Sequence, residues 1–393
     1  MGAAGARPGA RLEGAGGQGA AGGDWRADAG TAARCLCRRG RQRGGGDRYP
    51  ARRRPVGAHR RMDRGLRRRR PDPGMSRHAR QEMIIGAAAQ ARLAASHVLM
   101  IGAGGLGVPV LQYLAGAGIG RITLLDPDHV EESNLHRQVL YRMDDIGAPK
   151  AEAAARHLRA LAPALDITAE LATLTPSRAP DLVAGADLVV DGADSFAVSY
   201  ILSDACLAAG TPLVSGSVLG ARGYAGMYCG DAPSLRAVFP DLPQTAATCA
   251  TAGVLGPVVG MTGTLCAQLA LAHLAGQEPR PAGRLVTLDM ESYAPSSFSF
   301  LGAPEPNQRW PFIDAGLLRD GDQMVELRPE AEAPTPFVPQ ARRARPEAVT
   351  ELALDPARRV VLGCQTGLRS WRAARALAEA GRYDIALCAA VAA

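Results

Sequence analysis

Four side chains along this sequence could together manage a nucleoside triphosphate: Asp126, Arg137, Lys150 and Asp194. One carboxylate can hold ribose hydroxyls and the other Mg²⁺, while the two cations neutralise phosphate charge as pyrophosphate leaves. Hydride transfer has no need of such a cationic set. For the four to act together, the elements that carry them must bring them to one edge.

The elements can be read from the local pattern. Val98-Leu99-Met100-Ile101 runs into glycines at Gly102, Gly104, Gly105 and Gly107, and Val108, Leu111, Leu114 and Ala115 follow at helical spacing. This predicts a strand, a tight turn and a helix whose N-terminus offers free N–H groups to an anion. Arg121 to Leu125 reads as the next strand and ends in Asp126, at a distance that suits a ribose contact. A polar loop with Ser133, Asn134 and Arg137 follows, then a helix over about 149–161 and a strand near 167–171. Asp187 to Asp191 is a short buried strand that runs into Gly192-Ala193-Asp194. A helix to about Ala209 and a strand over 212–218 continue the alternation, and Tyr224 to Tyr228 begins an antiparallel part. An apolar helix over 253–275 and a strand at 285–288 close the region. Strands alternating with helices predict a Rossmann-like, doubly wound α/β fold, its sheet mostly parallel with an antiparallel extension. Function is then expected beyond the carboxyl ends of the strands, where all four charged residues fall.

Charge is segregated along the chain. The net charge is +7, but residues 1–74 hold 19 Arg against 6 acids, while the remainder holds 26 basic and 32 acidic residues. The mildly acidic remainder argues against a nucleic-acid surface. The first 74 residues are Arg/Gly/Ala-rich and too poor in apolar side chains to offset their ordering entropy. They are expected to be disordered, or not translated, with Met75 as the start. The eight cysteines form no Cys-x-x-Cys pair. Without a secretory signal they read as thiols of a cytoplasmic protein. No apolar run reaches membrane-spanning length without a Gly, Pro or polar interruption.

In order and spacing, Gly102–Gly107, Asp126, Ser133–Gln138, Gly147–Lys150 and Asp191–Asp194 resemble the MoeB/ThiF/HesA adenylyltransferases, relatives of ubiquitin-activating enzymes. Arg77–Gln81 and Thr248–Gly256 fit the same pattern, so the resemblance covers about Arg77 to Asp289. It implies ATP and Mg²⁺, and adenylation of the Gly-Gly C-terminus of a small ubiquitin-like sulfur carrier of the MoaD or ThiS type. It places Gly102, Gly104, Gly105, Gly107 and Ser133 at the nucleotide and Asp126 on ribose. Asn134, Arg137 and Lys150 fall on phosphates, and Asp194 on Mg²⁺. Ser195 stands where the family usually has Asn. Arg80 would reach the partner subunit's site, which implies a homodimer. Cys249 is the candidate thiol for a thioester or persulfide, and a cysteine desulfurase is a further expected partner. The family generally binds structural Zn²⁺ through two Cys-x-x-Cys pairs; these would fall at Ser234–Ala237 and near 304–310, where there is no cysteine. Zinc is therefore expected to be absent. The alternatives are a catalytically weakened carrier-binding scaffold and a Rossmann NAD(P)-dependent oxidoreductase.

Beyond an adenylyltransferase domain over 75–300 and a linker over 301–316, residues 317–393 form a separate expectation. Arg359 to Gly363 predicts a buried strand, and Cys364-Gln365-Thr366-Gly367-Leu368-Arg369 opens a helix. A cysteine in such a turn sits in a cradle of N–H groups that stabilises a persulfide anion. The order resembles the rhodanese active loop, with Met324 to Arg328 as an opening strand. The domain looks partial, with strand edges and apolar faces expected to lie uncovered.

Overall fold

The computed structural model describes residues 76–242, 253–382 and 384–389. Cys249 and residues 1–75 lie outside them.

Two helices, α1 (Ala79–Ile85) and α2 (Ala87–Ala95), meet at Gly86, which has a φ of 81°. Then β1 (His97–Ile101), α3 (Gly107–Ala117) and β2 (Arg121–Leu125) form the first βαβ unit. Next come α4 (Lys150–Leu161), β3 (Asp166–Glu170), α5 (Ala179–Ala184), β4 (Leu188–Asp191), α6 (Phe196–Ala209) and β5 (Leu213–Leu219). The sheet continues with β6 (Arg222–Tyr228), β7 (Arg284–Asp289) and β8 (Ala294–Ser299) in the order β3-β2-β1-β4-β5-β6-β7-β8. β3 to β5 are parallel; from β5 to β8 each pairing is antiparallel. The strand order reverses between β1 and β4, which opens a crevice at their carboxyl ends.

The central strands are buried on both faces, as helix-covered parallel strands are. The four-residue α7 (Leu235–Val238) contacts α6, and the long apolar α8 (Gly256–Leu274) covers β5 and β6. By length and composition α8 could cross a membrane. In this fold it packs on α3, β5 and β6, with Val258, Thr262, Cys266 and Ala270 buried.

A second, all-parallel sheet has the order β10-β9-β11-β12: β9 (Gln323–Glu326), β10 (Arg342–Arg343), β11 (Val360–Cys364) and β12 (Ile385–Ala389). Helix α9 (Leu368–Glu379) follows the cysteine turn. The stretch expected to be a linker does not hang free. Trp310, Phe312 and Ile313 are buried, and the Ile313 N–H donates to the Leu387 carbonyl at 2.7 Å while the Leu387 N–H donates to the Pro311 carbonyl at 2.9 Å. The apolar faces expected to lie bare are thereby covered. Trp310, Trp371 and Cys364 share one continuous cluster with Leu99, Leu125 and Tyr200 of the larger sheet's side.

Candidate active site

The glycine turn is shaped by contact with its neighbours. The Gly102 N–H donates to the Leu125 carbonyl at 2.8 Å, and Gly102 has a φ of 93°. A Cβ on Gly107 would lie 2.0 Å from the Gly102 carbonyl oxygen, so the helix can start here only without a side chain. Gly107 is therefore a packing residue and does not line the cavity.

A cavity of about 770 Å³ opens above this turn. Of the residues proposed from sequence, Gly102, Gly104, Gly105, Asp126, Asn134, Arg137, Lys150, Asp194 and Ser195 all line it. Ser133, Arg80 and Cys364 do not. Ser133 is an exposed loop residue whose hydroxyl donates to Glu131 at 3.1 Å. Arg80 is exposed on α1, and Cys364 belongs to the second sheet.

Asp126 is 4% exposed and follows β2 directly. Its Oδ2 accepts the Ala103 N–H at 2.6 Å and its Oδ1 the Asp128 N–H at 2.8 Å. Burial pushes its carboxyl above the ordinary value; these N–H groups and Lys150 pull it back. Lys150 is the first residue of α4, and its Nζ donates to Asp128 Oδ2 at 2.9 Å, a half-covered pair with the lysine buried and the aspartate open. Arg137 is held by the Ser133 carbonyl at 3.2 Å and by His136 Nε2 at 2.9 Å.

Asp194 is exposed into the cavity from the turn after β4. Buried Asp191 fixes that turn: its Oδ1 accepts the Ala193 N–H at 3.1 Å and its Oδ2 the Ser215 hydroxyl at 2.8 Å. Burial raises the Asp191 carboxyl; Ser199, Ser215 and the Ala193 N–H oppose the shift. Among the lining residues, Asp194 and Asp128 carry carboxylate oxygens, the hard donors Mg²⁺ prefers.

Several lining residues carried no role in the sequence reading. Gln138 sits one place after Arg137 and is 3% exposed, and its Oε1 has no partner among the described residues. Asp128 lies two places after Asp126. Both stand inside or beside motifs and could have been found there. Tyr200, Tyr224, Phe239 and Leu242 form an aromatic, apolar end of the cavity on the Asp194 side, and no local pattern announces them.

The zinc positions hold different chemistry. The Ser234 N–H and hydroxyl donate to Glu305 Oε1 at 2.7 Å and Oε2 at 2.6 Å, and Arg309 Nη2 reaches Oε2 at 3.2 Å. A hydroxyl, a carboxylate and a guanidinium do not make a tetrahedral thiolate site, so these residues do not fit Zn²⁺. Among the described residues no group of three or more His, Cys, Asp or Glu is placed to hold a metal ion.

The remaining thiols differ among themselves. Burial pushes Cys229 and Cys266 up to about 12, and Cys206 further up. Cys364 instead accepts N–H bonds from Gly367 at 3.1 Å and Ser370 at 3.4 Å.

Residues 77–310 match the ThiF family. The chain is 42% identical over 207 residues to the SAMP-activating enzyme E1 of Haloferax volcanii, covering 52% of this chain and 77% of that protein. It is 40% identical over 225 residues to the sulfur carrier protein adenylyltransferase of Thermus thermophilus, covering 55% and 83%. With the adenylyltransferase and sulfurtransferase MOCS3 of Bos taurus it shares 45% over 218 residues, 54% of this chain and 48% of that protein, so it spans about half of that relative. The crystal structure of E. coli MccB shares the fold, at a TM-score of 0.53 and 21% identity over 59% of this chain and 73% of that one.

Proposed function

The chain belongs to the ThiF family, and we propose that it adenylates the C-terminal Gly-Gly carboxylate of a small ubiquitin-like sulfur carrier, releasing pyrophosphate. The observation that carries this reading is the convergence of Asp126, Asn134, Arg137, Lys150 and Asp194 on one cavity above the glycine turn. Relatives named for sulfur-carrier adenylation and SAMP activation support the acceptor class.

In this reading Gly104 and Gly105 let phosphate approach the backbone, and the first turn of α3 faces it with N–H groups. Asp126 accepts from ribose hydroxyls. The acyl carboxylate attacks the α-phosphorus and pyrophosphate leaves. Lys150 and Arg137 hold the charge that accumulates on the phosphate oxygens. Mg²⁺, when bound, would screen that charge, with Asp194 as its protein ligand. Lys150 moves its ammonium from Asp128 to phosphate as the nucleotide enters. Cys249 is not required for adenylation; its role would be a later covalent step. Exchange of labelled pyrophosphate into ATP, dependent on the carrier, tests the reading; NAD(P)H binding without exchange would replace it with an oxidoreductase.

Cys364 supports a second activity. Two backbone N–H groups on its Sγ and Arg369 beside it suit a sulfane sulfur held as a persulfide anion. The sulfur would come from a cysteine desulfurase. Thiosulfate sulfurtransferase activity should be present in the wild type and lost in Cys364→Ala, with pyrophosphate exchange kept in both Cys364→Ala and Cys249→Ala. Exposed apolar side chains on α1 (Met83, Ile84), on the 139–146 loop (Val139, Met143) and on the adjoining α3 and α8 (Tyr113, Met261) support a homodimer. A cytoplasmic location fits chemistry that depends on ATP and free thiols.

A further inference from the structure

We propose that Trp371, on the C-terminal helix α9, is a positioning residue for the aromatic end of the adenylation cavity. The helix would thus back the wall against which the acyl donor lies, a role separate from any chemistry at Cys364. The proposal rests on the adenylation reading for the identity of that donor.

Three layers of contact connect α9 to the cavity. Trp371 is 4% exposed, with its ring 5.5 Å from Tyr200 on α6 and 4.9 Å, edge-on, from Trp310. Arg236 fills the space between them. It is 1% exposed, and its Cζ lies 4.5 Å from the Tyr200 ring centroid and 5.5 Å from that of Trp371. Its other contacts are Asp204, gripped at 2.7 and 2.8 Å, and the Trp310 carbonyl at 3.3 Å; Nη1 has no partner among the described residues. A buried guanidinium with one incompletely satisfied nitrogen is costly, and it depends on the ring faces on either side of it. Tyr200 passes the constraint on, because its hydroxyl donates to the Phe239 carbonyl at 2.5 Å and the Phe239 ring lies 5.3 Å from Tyr224. Tyr200, Phe239 and Tyr224 are the side chains that line the cavity there.

The position of this wall indicates what it touches. Asp126 and the neighbouring Ala172–Leu174 line the part of the cavity suited to adenosine, and the glycine turn takes phosphate. The aromatic end adjoins Asp194 and Ser195 at the start of α6, the side left for the attacking carboxylate. Two further contacts join α9 and its turn to the same wall. Gly367 packs close to Ala197 in the first turn of α6, and Arg375 stands 3.9 Å from Asp241, which also lines the cavity.

The test uses the full chain as wild type, Trp371→Ala and Trp371→Phe. Hydrogen–deuterium exchange should quicken in Trp371→Ala at residues 196–204 and 235–242 and stay unchanged at 97–126. In pyrophosphate exchange with a synthetic peptide ending in Gly-Gly as the probe, the peptide KM should rise about fivefold, from loss of two aromatic contacts and one cation–π contact behind the wall. The ATP Kd and kcat should stay within about twofold, and Trp371→Phe should restore the KM. If Trp371→Ala does not fold, Tyr200→Phe, which removes only the bond to Phe239, should give the same split at a smaller size. A folded Trp371→Ala protein with unchanged protection on α6 would overturn the proposal. So would a parallel loss of ATP and peptide binding. A wild type without exchange activity would sink the adenylation reading alone, since protection on α6 still decides the role of Trp371.

Discussion

The polar and aromatic ends of the cavity are assembled by different rules. At the polar end Asp126 follows β2, Lys150 opens α4, Asp194 lies in the turn after β4, and Asn134 and Arg137 come from the loop between β2 and α4. Each position follows from its own local motif, although Asp126 and Lys150 bond to Ala103 and Asp128, more than twenty residues away in sequence. The aromatic end draws Tyr200 from α6, Tyr224 from β6 and Phe239 from beyond α7, and it is backed by Trp310 and Trp371 from the far end of the chain. The placement of the charged residues is thus written in local motifs, whereas the shape of the aromatic end is written in distant packing.

The comparison breaks first at Asp194. An exposed carboxylate contributes little to the core, so Asp194→Ala should stay folded and lose about 10²–10³-fold in pyrophosphate exchange. Wild-type exchange rates in that variant would mean the polar end had been misassigned. A second large effect belongs to the turn beneath it. Gly107→Ala forces a Cβ to within 2.0 Å of the Gly102 carbonyl and should cost about 3 kcal/mol. Gly116→Ala, in the same helix with open space around it, should be neutral or stabilise by up to about 1 kcal/mol. Chemical denaturation of the pair measures the difference; equal stabilities would show that close approach at Gly107 does not matter.

The Ser234–Glu305 contact tests whether a polar clasp between residues far apart in sequence holds these two loops together. Glu305→Gln weakens charge-assisted bonds to Ser234 and Arg309 and should cost about 1–2 kcal/mol. Incubation with a strong chelator should leave the Tm of the wild type unchanged, and a drop of several degrees would place a metal where the structure shows a carboxylate.

The smallest effect separates the two sheets by acid. At the polar end Asp126 and Asp191 are raised by burial, so protonation relieves them. In the second sheet's unit, burial of Asp322 and Glu326 is outweighed by hydrogen bonds from Arg359 and Arg328, and both carboxyls are held below their ordinary values of 3.8 and 4.5. Folded values below unfolded ones mean a contribution that is complete above the ordinary carboxylate range and is lost as pH falls through the folded values. On acidification from about pH 5 to about pH 3, hydrogen exchange should rise at 323–326 and 360–364 before it rises at 97–101. Simultaneous loss of both sheets would erase the distinction.

Much of the larger sheet was legible because apolar runs of strand length end in Gly or Asp, and helical spacing fills the gaps between them. The placement of residues 126, 134, 137, 150 and 194 around one cavity was legible for the same reason. β8 was not, since all six of its residues are exposed and only hydrogen bonds to β7 make it a strand. The segment around Pro311 read as a linker because proline suppresses both regular patterns. Its Trp310 and Phe312 find burial only against elements far away in sequence. Residues 317–393 were expected to leave apolar faces bare, and those faces are covered by α6 and the 310–313 segment.

By itself the sequence determined the succession of strands from β1 to β7, the glycine turn, and the charged set at the carboxyl ends of the strands. Those features depend on backbone geometry and on contacts a few residues apart, which spacing encodes. Only the tertiary structure decided that Gly107 packs without lining the cavity, that Asp191 steadies the turn of Asp194, and that Ser234 meets Glu305. It also decided that Arg236 is buried between Tyr200 and Trp371. Each of these depends on which surfaces of separate elements come to face one another, and that is settled by the collective burial of side chains across the fold.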